Sequence, residues 1–185
     1  SLGLMLDKPI ENGVLDLEHR MDRADWLSIT GCARDLAAFE DIEFSAPKGI
    51  DPKPEGKGDI KIKVKASDLV DRFNTRVFKN IEVKESPGWL KESLESYGIP
   101  SKNNIVDITN YVMVELGQPM HAQDISKLDK QQIILRKAEE DEEITTLLGE
   151  RVELDKETLV LSDGEKLLAI GGIVGGESTA VDENT

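Results

Sequence analysis

Apolar residues recur at helical intervals in three stretches of this chain and alternate with polar ones in several others. "DRADWLSITGCARDLAAFE", residues 22–40, spaces Trp26, Ile29, Ala33, Leu36 and Ala37 for one helix face, with Asp22 as the expected N-cap. "SPGWLKESLESYG", residues 86–98, predicts a second helix, with Ser86 at the N-cap, Pro87 first in the helix and Gly98 just past its end. Its expected face is Trp89, Leu90, Ser93, Leu94 and Tyr97. "VDITNYVMVELGQPMHAQD", residues 106–124, continues a third pattern, in which Ile105, Ile108, Val112 and Leu116 form a stripe. Asn104 is the expected cap there and Gly117 the stop, after which a Gly-Gln-Pro bend delivers His121.

Strand signals occupy other regions. "DIKIKVKA" sets Ile60, Ile62 and Val64 against lysines and predicts a half-buried strand, and "RVFKNIEVKE" predicts another. From Gln132 onward "QIILRKA", "EITTLLGERVELD" and "TLVLSDGEKLLAIGG" read as strands, with hairpin turns at Leu148-Gly149-Glu150 and Asp163-Gly164. Residues 1–19 read as an irregular lead-in closed by a short alternating piece, and the Pro- and Gly-rich stretch 45–58 as a loop. A helical and mixed first part (1–44), a strand and helix part (59–124) and a strand-rich part (125–185) do not alternate as βαβ units. The fold class expected is therefore α+β, without a doubly wound nucleotide-binding sheet.

Composition narrows the function. Aromatic residues make up only 4%, so the core is aliphatic. No run approaches the length of a membrane span, and the N-terminus lacks the basic and apolar regions of a secretion signal. The opening without methionine reads as a fragment of a longer chain. Cys32 is the one cysteine, which excludes an internal disulfide and a cysteine metal cluster and suits a cytoplasmic location. The net charge of −14 opposes broad contact with a nucleic-acid backbone, which needs lysine and arginine to displace counterions. Any RNA must be met at a small local site or with the help of another domain.

Three constellations carry candidate chemistry. His121 follows a bend, with Asn110 before it and Asp124 after it. An imidazole can serve as acid, base or donor near neutral pH, Asn110 can orient a water or a sugar hydroxyl, and Asp124 can fix the ring tautomer. The plainer reading is a loop histidine with local hydrogen bonds. "AIGGIVGGES", 169–178, bares backbone N–H groups for a ligand but lacks a P-loop pattern, and on its own reads as a bulged strand or a sheet corner. His19, Arg20 and Arg23 cluster with Asp22 and Asp25, which reads as a solvated helix start. No spacing of histidines or carboxylates singles out a metal site.

Together these segments resemble the bacterial phenylalanyl-tRNA synthetase β subunit in its B3/B4 editing domain. "NNIVDITNYVMVELGQPMHAQD" is similar to the family signature, and "SPGWLKESLESYGI" to the helix before it. Arg23, Asp25, Ser28, Gly31, Ala33 and Arg34 match an earlier family segment, and "LAIGGIVGGESTAV" matches its glycine-rich strand and turn. Four ordered motifs cover nearly the whole chain. The resemblance implies one B3/B4 domain over 1–185, a layered β-sandwich of unusual topology with helices outside. It also implies an enzyme activity: hydrolysis of tyrosine wrongly esterified to the tRNA for phenylalanine. His121 and Asn110 would position the hydrolytic water or the terminal ribose. Thr109 and the backbone of Gly172, Ile173, Gly175 and Gly176 would bind substrate. The implied step needs no metal or other cofactor in this domain, a substrate ribose hydroxyl assisting proton transfer; ATP and Mg belong to the aminoacylation site elsewhere. Implied partners are the 3′ end of the tRNA, the synthetase α subunit and the remaining β-subunit domains.

The chain departs from the family pattern in places. Met21-Asp22 stands where the family has Pro-Asn, Pro100 where it has a pocket arginine (with Lys102 as the candidate substitute), and Gln123 where it has Phe. The family carboxylate that recognises the tyrosine hydroxyl aligns beyond Thr185. Two rival readings follow: a structural module that docks the tRNA 3′ end without hydrolysis, and a freestanding aminoacyl-tRNA deacylase.

Overall fold

The computed structural model describes residues 5–18 and 20–185. Ser1 to Leu4 of the expected lead-in and His19 of the third constellation lie outside the described residues. The chain divides into two compact units, one running to Pro52 and resuming at Lys84–His121, the other comprising Lys53–Val83 and Ala122–Thr185.

The first unit begins with β1 (Met5–Leu6) and β2 (Leu17–Glu18), paired antiparallel. A short 3-10 turn, Ala24–Leu27, then leads into α1 (Ile29–Phe39). The helix is capped by Ser28, whose Oγ accepts from the Gly31 N–H at 3.0 Å; the expected cap, Asp22, instead pairs with Arg20. The reason is a charge network that tightens the preceding turn. Arg23 holds Asp25 in a two-pronged contact at 2.9 and 2.8 Å and reaches Asp35, which also accepts the Trp26 indole N–H at 2.8 Å. Arg34 returns to Asp25 at 2.8 Å, and the Arg23 guanidinium lies 4.4 Å from the centre of the Trp26 ring.

Two further helices complete this unit. In α2 (Gly88–Ser96) the cap position belongs to Pro87 rather than Ser86, and Leu90 and Leu94 supply the buried face. In α3 (Asn104–Leu116) the cap is Asn103, one residue earlier than expected, its Oδ1 accepting from Ile105 N at 3.1 Å and Val106 N at 3.0 Å. The displaced Ser86 is engaged elsewhere, its hydroxyl donating to Asp107 at 2.6 Å. The predicted stripe of α3 is not its deepest side. Ile108 keeps 50% of its surface open, while Asp107 keeps 0%.

The second unit is built on a five-stranded mixed sheet in the order β3 (Lys61–Val64), β4 (Gln132–Lys137), β7 (Leu159–Ser162), β8 (Leu167–Ile170), β9 (Val174–Gly175). β3 runs parallel to β4, and the other pairs are antiparallel. A separate hairpin joins β5 (Glu143–Thr145) and β6 (Arg151–Glu153). β3 is more open than a half-buried strand, with Ile62 and Val64 37% and 42% exposed, because it is an edge with one neighbour. The strand expected at 76–85 does not form: β propensity without a partner makes no ladder, and Asn80 breaks the extended run with a φ of 57°.

Alternation sorts the apolar residues onto two faces. Val160 and Ile170 pack with Ile144 and Leu154, laying the β5–β6 hairpin against one face, a β layer on a β layer. Ile133, Leu135 and Leu168 pack with Leu128, Phe73 and Val70 on the other. A bulge lets β8 serve both. Leu161 faces Ala169 while Ser162 faces Leu167, so Leu168 is the extra residue and turns to the second face. The α+β class expected from the sequence is observed.

Candidate functional site

The polar edge ending in His121 depends on how α3 is anchored. Buried Asp107 accepts from the Ser86 hydroxyl at 2.6 Å, the Ser101 hydroxyl at 2.5 Å and the Lys102 N–H at 2.9 Å. Burial alone would raise its pKa; the Lys102 N–H, the Ser101 and Ser86 hydroxyls and the charge of Lys91 outweigh that and hold it below the usual carboxylate value. The helix start is thereby fixed to the residues before α2.

Thr109 and Asn110 follow on the same helix. The Thr109 hydroxyl donates to Val106 O at 2.6 Å, so its oxygen keeps only acceptor capacity for a ligand. Among the described residues no hydrogen bond engages the half-buried Asn110 side chain. Gly117 ends α3 in the left-handed conformation, φ 74°, and its N–H returns to Met113 O at 2.8 Å. A side chain here would also meet Ser28, whose Cβ lies 3.2 Å from where a Cβ would stand. His121 comes four residues later with its side chain open to solvent. The protein atoms around the ring still push its pKa below the ordinary imidazole value, favouring the neutral form at pH 7. Its accessible surface is the better guide to what a ligand would meet.

Asp124 does not serve the imidazole. Its Oδ1 accepts from the Ser126 N–H at 2.8 Å and hydroxyl at 2.7 Å, and its Oδ2 from the Thr185 hydroxyl at 2.8 Å. It caps the 3-10 turn Ile125–Lys127 within the second unit.

The glycine segment divides by role. Gly176 N–H donates to Leu168 O at 2.8 Å, Gly175 O accepts from Leu147 N at 2.9 Å, and both residues are buried. A Cβ at Gly176 would sit 2.9 Å from Leu168 O, and one at Gly171 would sit 2.6 Å from the Leu159 side chain. These two glycines permit close packing. Ile173 donates its N–H to Ile170 O at 3.1 Å and leaves 78% of its surface exposed. Gly172 is different: its φ is +73°, nothing stands within 4 Å of a Cβ built there, and among the described residues its N–H has no acceptor. It lines an open hollow of about 390 Å³ in the second unit together with Val70, Arg72, Leu135, Leu159 and Leu161.

The model of the B3/4 domain family matches residues 69–185. The chain belongs to the B3/4 domain family. It is 40% identical over 186 residues to the phenylalanine–tRNA ligase β subunit of Carboxydothermus hydrogenoformans, covering 100% of this chain and 23% of that protein. The β subunit of Aquifex aeolicus is 42% identical over 172 residues, covering 93% and 22% respectively. The chain thus spans less than a quarter of the length of these relatives. A solved N-terminal fragment of the phenylalanyl-tRNA synthetase β subunit from Pyrococcus horikoshii aligns over 100% of this chain and 57% of its own, at 18% identity and a TM-score of 0.46.

The earlier segment, residues 23–34, lies before the residues that the family model matches, and its side chains make structural contacts. Arg23, Asp25 and Arg34 form the charge network, and Ser28 is a cap. Gly31 is required because a Cβ would fall 1.8 Å from Asp25 O. Lys102, the candidate for the missing arginine, is exposed beside the α3 cap. Sequence reasoning missed Asp107. The signal for it was a carboxylate between Val106 and Ile108, a position that demands partners. Among the described residues, no group of three or more His, Cys, Asp or Glu is arranged to hold a metal, and no helix is long and apolar enough to cross a membrane.

Proposed function

We propose that residues 1–185 act as the editing domain of a cytoplasmic phenylalanine–tRNA ligase β subunit, hydrolysing tyrosine from wrongly charged tRNA. Water attacks the ester carbonyl carbon, the bond from that carbon to the ribose oxygen breaks, and the leaving oxygen takes up a proton. His121 and Asn110 hold the water or the terminal ribose. A neutral imidazole can accept the water proton as the new bond forms. Thr109 accepts a hydrogen bond from the substrate. In the second unit the Gly172 N–H, which has no acceptor among the described residues, is the proposed backbone donor to the substrate.

One observation carries this reading: the half-buried Asn110 side chain on α3 has no hydrogen-bond partner among the described residues and His121, past the Gly117 bend, is exposed, at the positions that the family resemblance assigns to the pocket. Selection of tyrosine over phenylalanine then follows from hydrogen bonding to the extra hydroxyl, a contrast that a polar site can exploit strongly. The α subunit, the other β-subunit domains and the body of the tRNA are the partners of the whole enzyme. The reading is tested by deacylation of Tyr-tRNA by the complete synthetase carrying His121→Ala or Asn110→Ala. Both should lose activity by one to several orders of magnitude. Undiminished hydrolysis in both would remove His121 and Asn110 from the mechanism.

A further inference from the structure

The chain carries a net charge of −14, and in the later part of its second unit the cations are closely paired. Every lysine and arginine from Lys127 to Lys166 has a carboxylate partner: Lys127, Lys130, Arg136, Lys137, Arg151, Lys156 and Lys166 all lie in ion pairs. β3 breaks this rule. Lys61, Lys63 and Lys65 are exposed, and among the described residues none meets a carboxylate. Lys63 Nζ donates to the neutral Gln132 amide oxygen at 3.0 Å, and neighbouring Asp59 and Asp68 are taken by Lys79 and Lys137.

Lys61 and Lys63 share one side of β3, and Lys65 follows directly after the strand's last residue. Lys61 stands opposite Gln132 and Lys63 opposite Ile134, while Ile62 and Val64 stand opposite Ile133 and Leu135 on the other face. Alternate residues of a strand lie about 6.6 Å apart, so Lys61 and Lys63 stand at that spacing along the backbone and Lys65 continues the series just past the strand. β3 is also the end of the sheet order, leaving the row's outer flank open. A row of unpaired cations on an otherwise acidic molecule fits a linear polyanion with regularly repeated charge. An extended nucleic-acid strand has one phosphate per nucleotide and needs few contacts of this kind to bind. A duplex presents a broader charged face, which the remaining acidic surface would repel.

We propose that the Lys61–Lys63–Lys65 row at β3 is the surface that receives a single-stranded RNA backbone. This deepens the editing reading and rests on it for the identity of the strand, the unpaired 3′ tail of the tRNA. The row grips phosphates and reads no sequence.

The test uses this chain at low ionic strength, titrated with a short unstructured single-stranded RNA, with poly-glutamate as the competing polyanion. Each lysine that neutralises a phosphate contributes about 0.7 to the slope of log K against log salt for a single strand. The triple variant Lys61→Gln, Lys63→Gln, Lys65→Gln should therefore lose about 2 from that slope and bind RNA at least about tenfold more weakly. In the full synthetase it should raise KM for mischarged tRNA and leave kcat in place. Lysines also guard edge strands against self-pairing. A triple variant that self-associates while its RNA affinity and slope are unchanged would overturn the proposal, as would equal binding of poly-glutamate or no salt-sensitive RNA binding by the parent chain. Failure of the editing reading is distinguishable: His121→Ala would then keep full deacylation, whatever the triple variant does to RNA affinity.

Discussion

Ser28 and Gly117 meet at the junction of α1 and α3: the cap of one helix stands where a side chain at the end of the other would have to go. The contact links the Arg23–Asp25–Arg34 network to the bend that carries His121. Gly117→Ala should cost about 1–2 kcal/mol for the left-handed backbone alone, with a further loss from the Ser28 contact. Urea denaturation of this chain measures it. Ser28→Gly in the same background should recover the part due to the contact and none of the part due to φ.

Gly31→Ala is expected to be more severe. The intruding Cβ would meet the Asp25 carbonyl oxygen at 1.8 Å and its carbon at 2.6 Å, and backbone cannot swing aside as a side chain can. Overpacking of this kind costs about 3 kcal/mol or more. The variant should lose its thermal transition or show it strongly lowered by circular dichroism. Wild-type stability would show that the turn 24–27 can move.

How much of this was legible in the sequence depends on what each feature required. Gly117 and the hairpin turns at Gly149 and Gly164 were readable because a positive φ is a local demand that glycine satisfies. The helix caps were misplaced by one to six residues because distant groups decided them. Ser86 left its expected cap for Asp107, and Asp22 lost the role to Ser28 once Arg23 tightened the turn. The segment 76–85 carried β propensity, but a strand needs a neighbour, which propensity does not report. In the candidate site, Asn110 and His121 could be picked out by residue type, and family resemblance alone gave them a role. That Asp124 is committed to Ser126 and Thr185, and that Gly176 is a packing glycine, are facts of tertiary contact.

Asp107 is a buried charge held by three donors, none of them a cationic group, so its removal should be costly. Asp107→Ala leaves the Lys102 N–H and two hydroxyls without their acceptor, a loss on the order of 3 kcal/mol. The pH dependence has a definite sign. The folded pKa is depressed below the ordinary 3.8, so the unfolded chain binds the proton more readily. The carboxylate's contribution is complete above that ordinary value and fades as pH falls through the folded one. Asp124 and Asp163 are shifted in the same direction, each accepting local N–H or hydroxyl donors despite burial. Denaturation midpoints of wild type and Asp107→Asn should differ clearly at neutral pH and converge in acid. A gap that stays constant down to the acid transition would show that the charge of Asp107 has no part in stability.

The protonation state of His121 gives the sharpest kinetic expectation. Loss of hydration around the ring lowers its pKa below 6.5, and among the described residues no carboxylate reverses that shift. If the neutral ring takes or orients the water proton, kcat for Tyr-tRNA deacylation should rise with pH through a group titrating below 6.5 and then level off. The neutral ring should predominate at neutral pH, because the pKa is shifted downward from an ordinary value that already lies below 7. His121→Gln retains a donor but cannot titrate, so its residual rate should lose this acid limb, while His121→Ala should lose both the limb and most of the rate. The imidazole proton resonance of His121 in this chain, followed by NMR, should give the same pKa as the kinetic limb. A limb that persists in His121→Gln would assign the titration to another group, and a resonance titrating above 6.5 would remove the neutral imidazole from the mechanism.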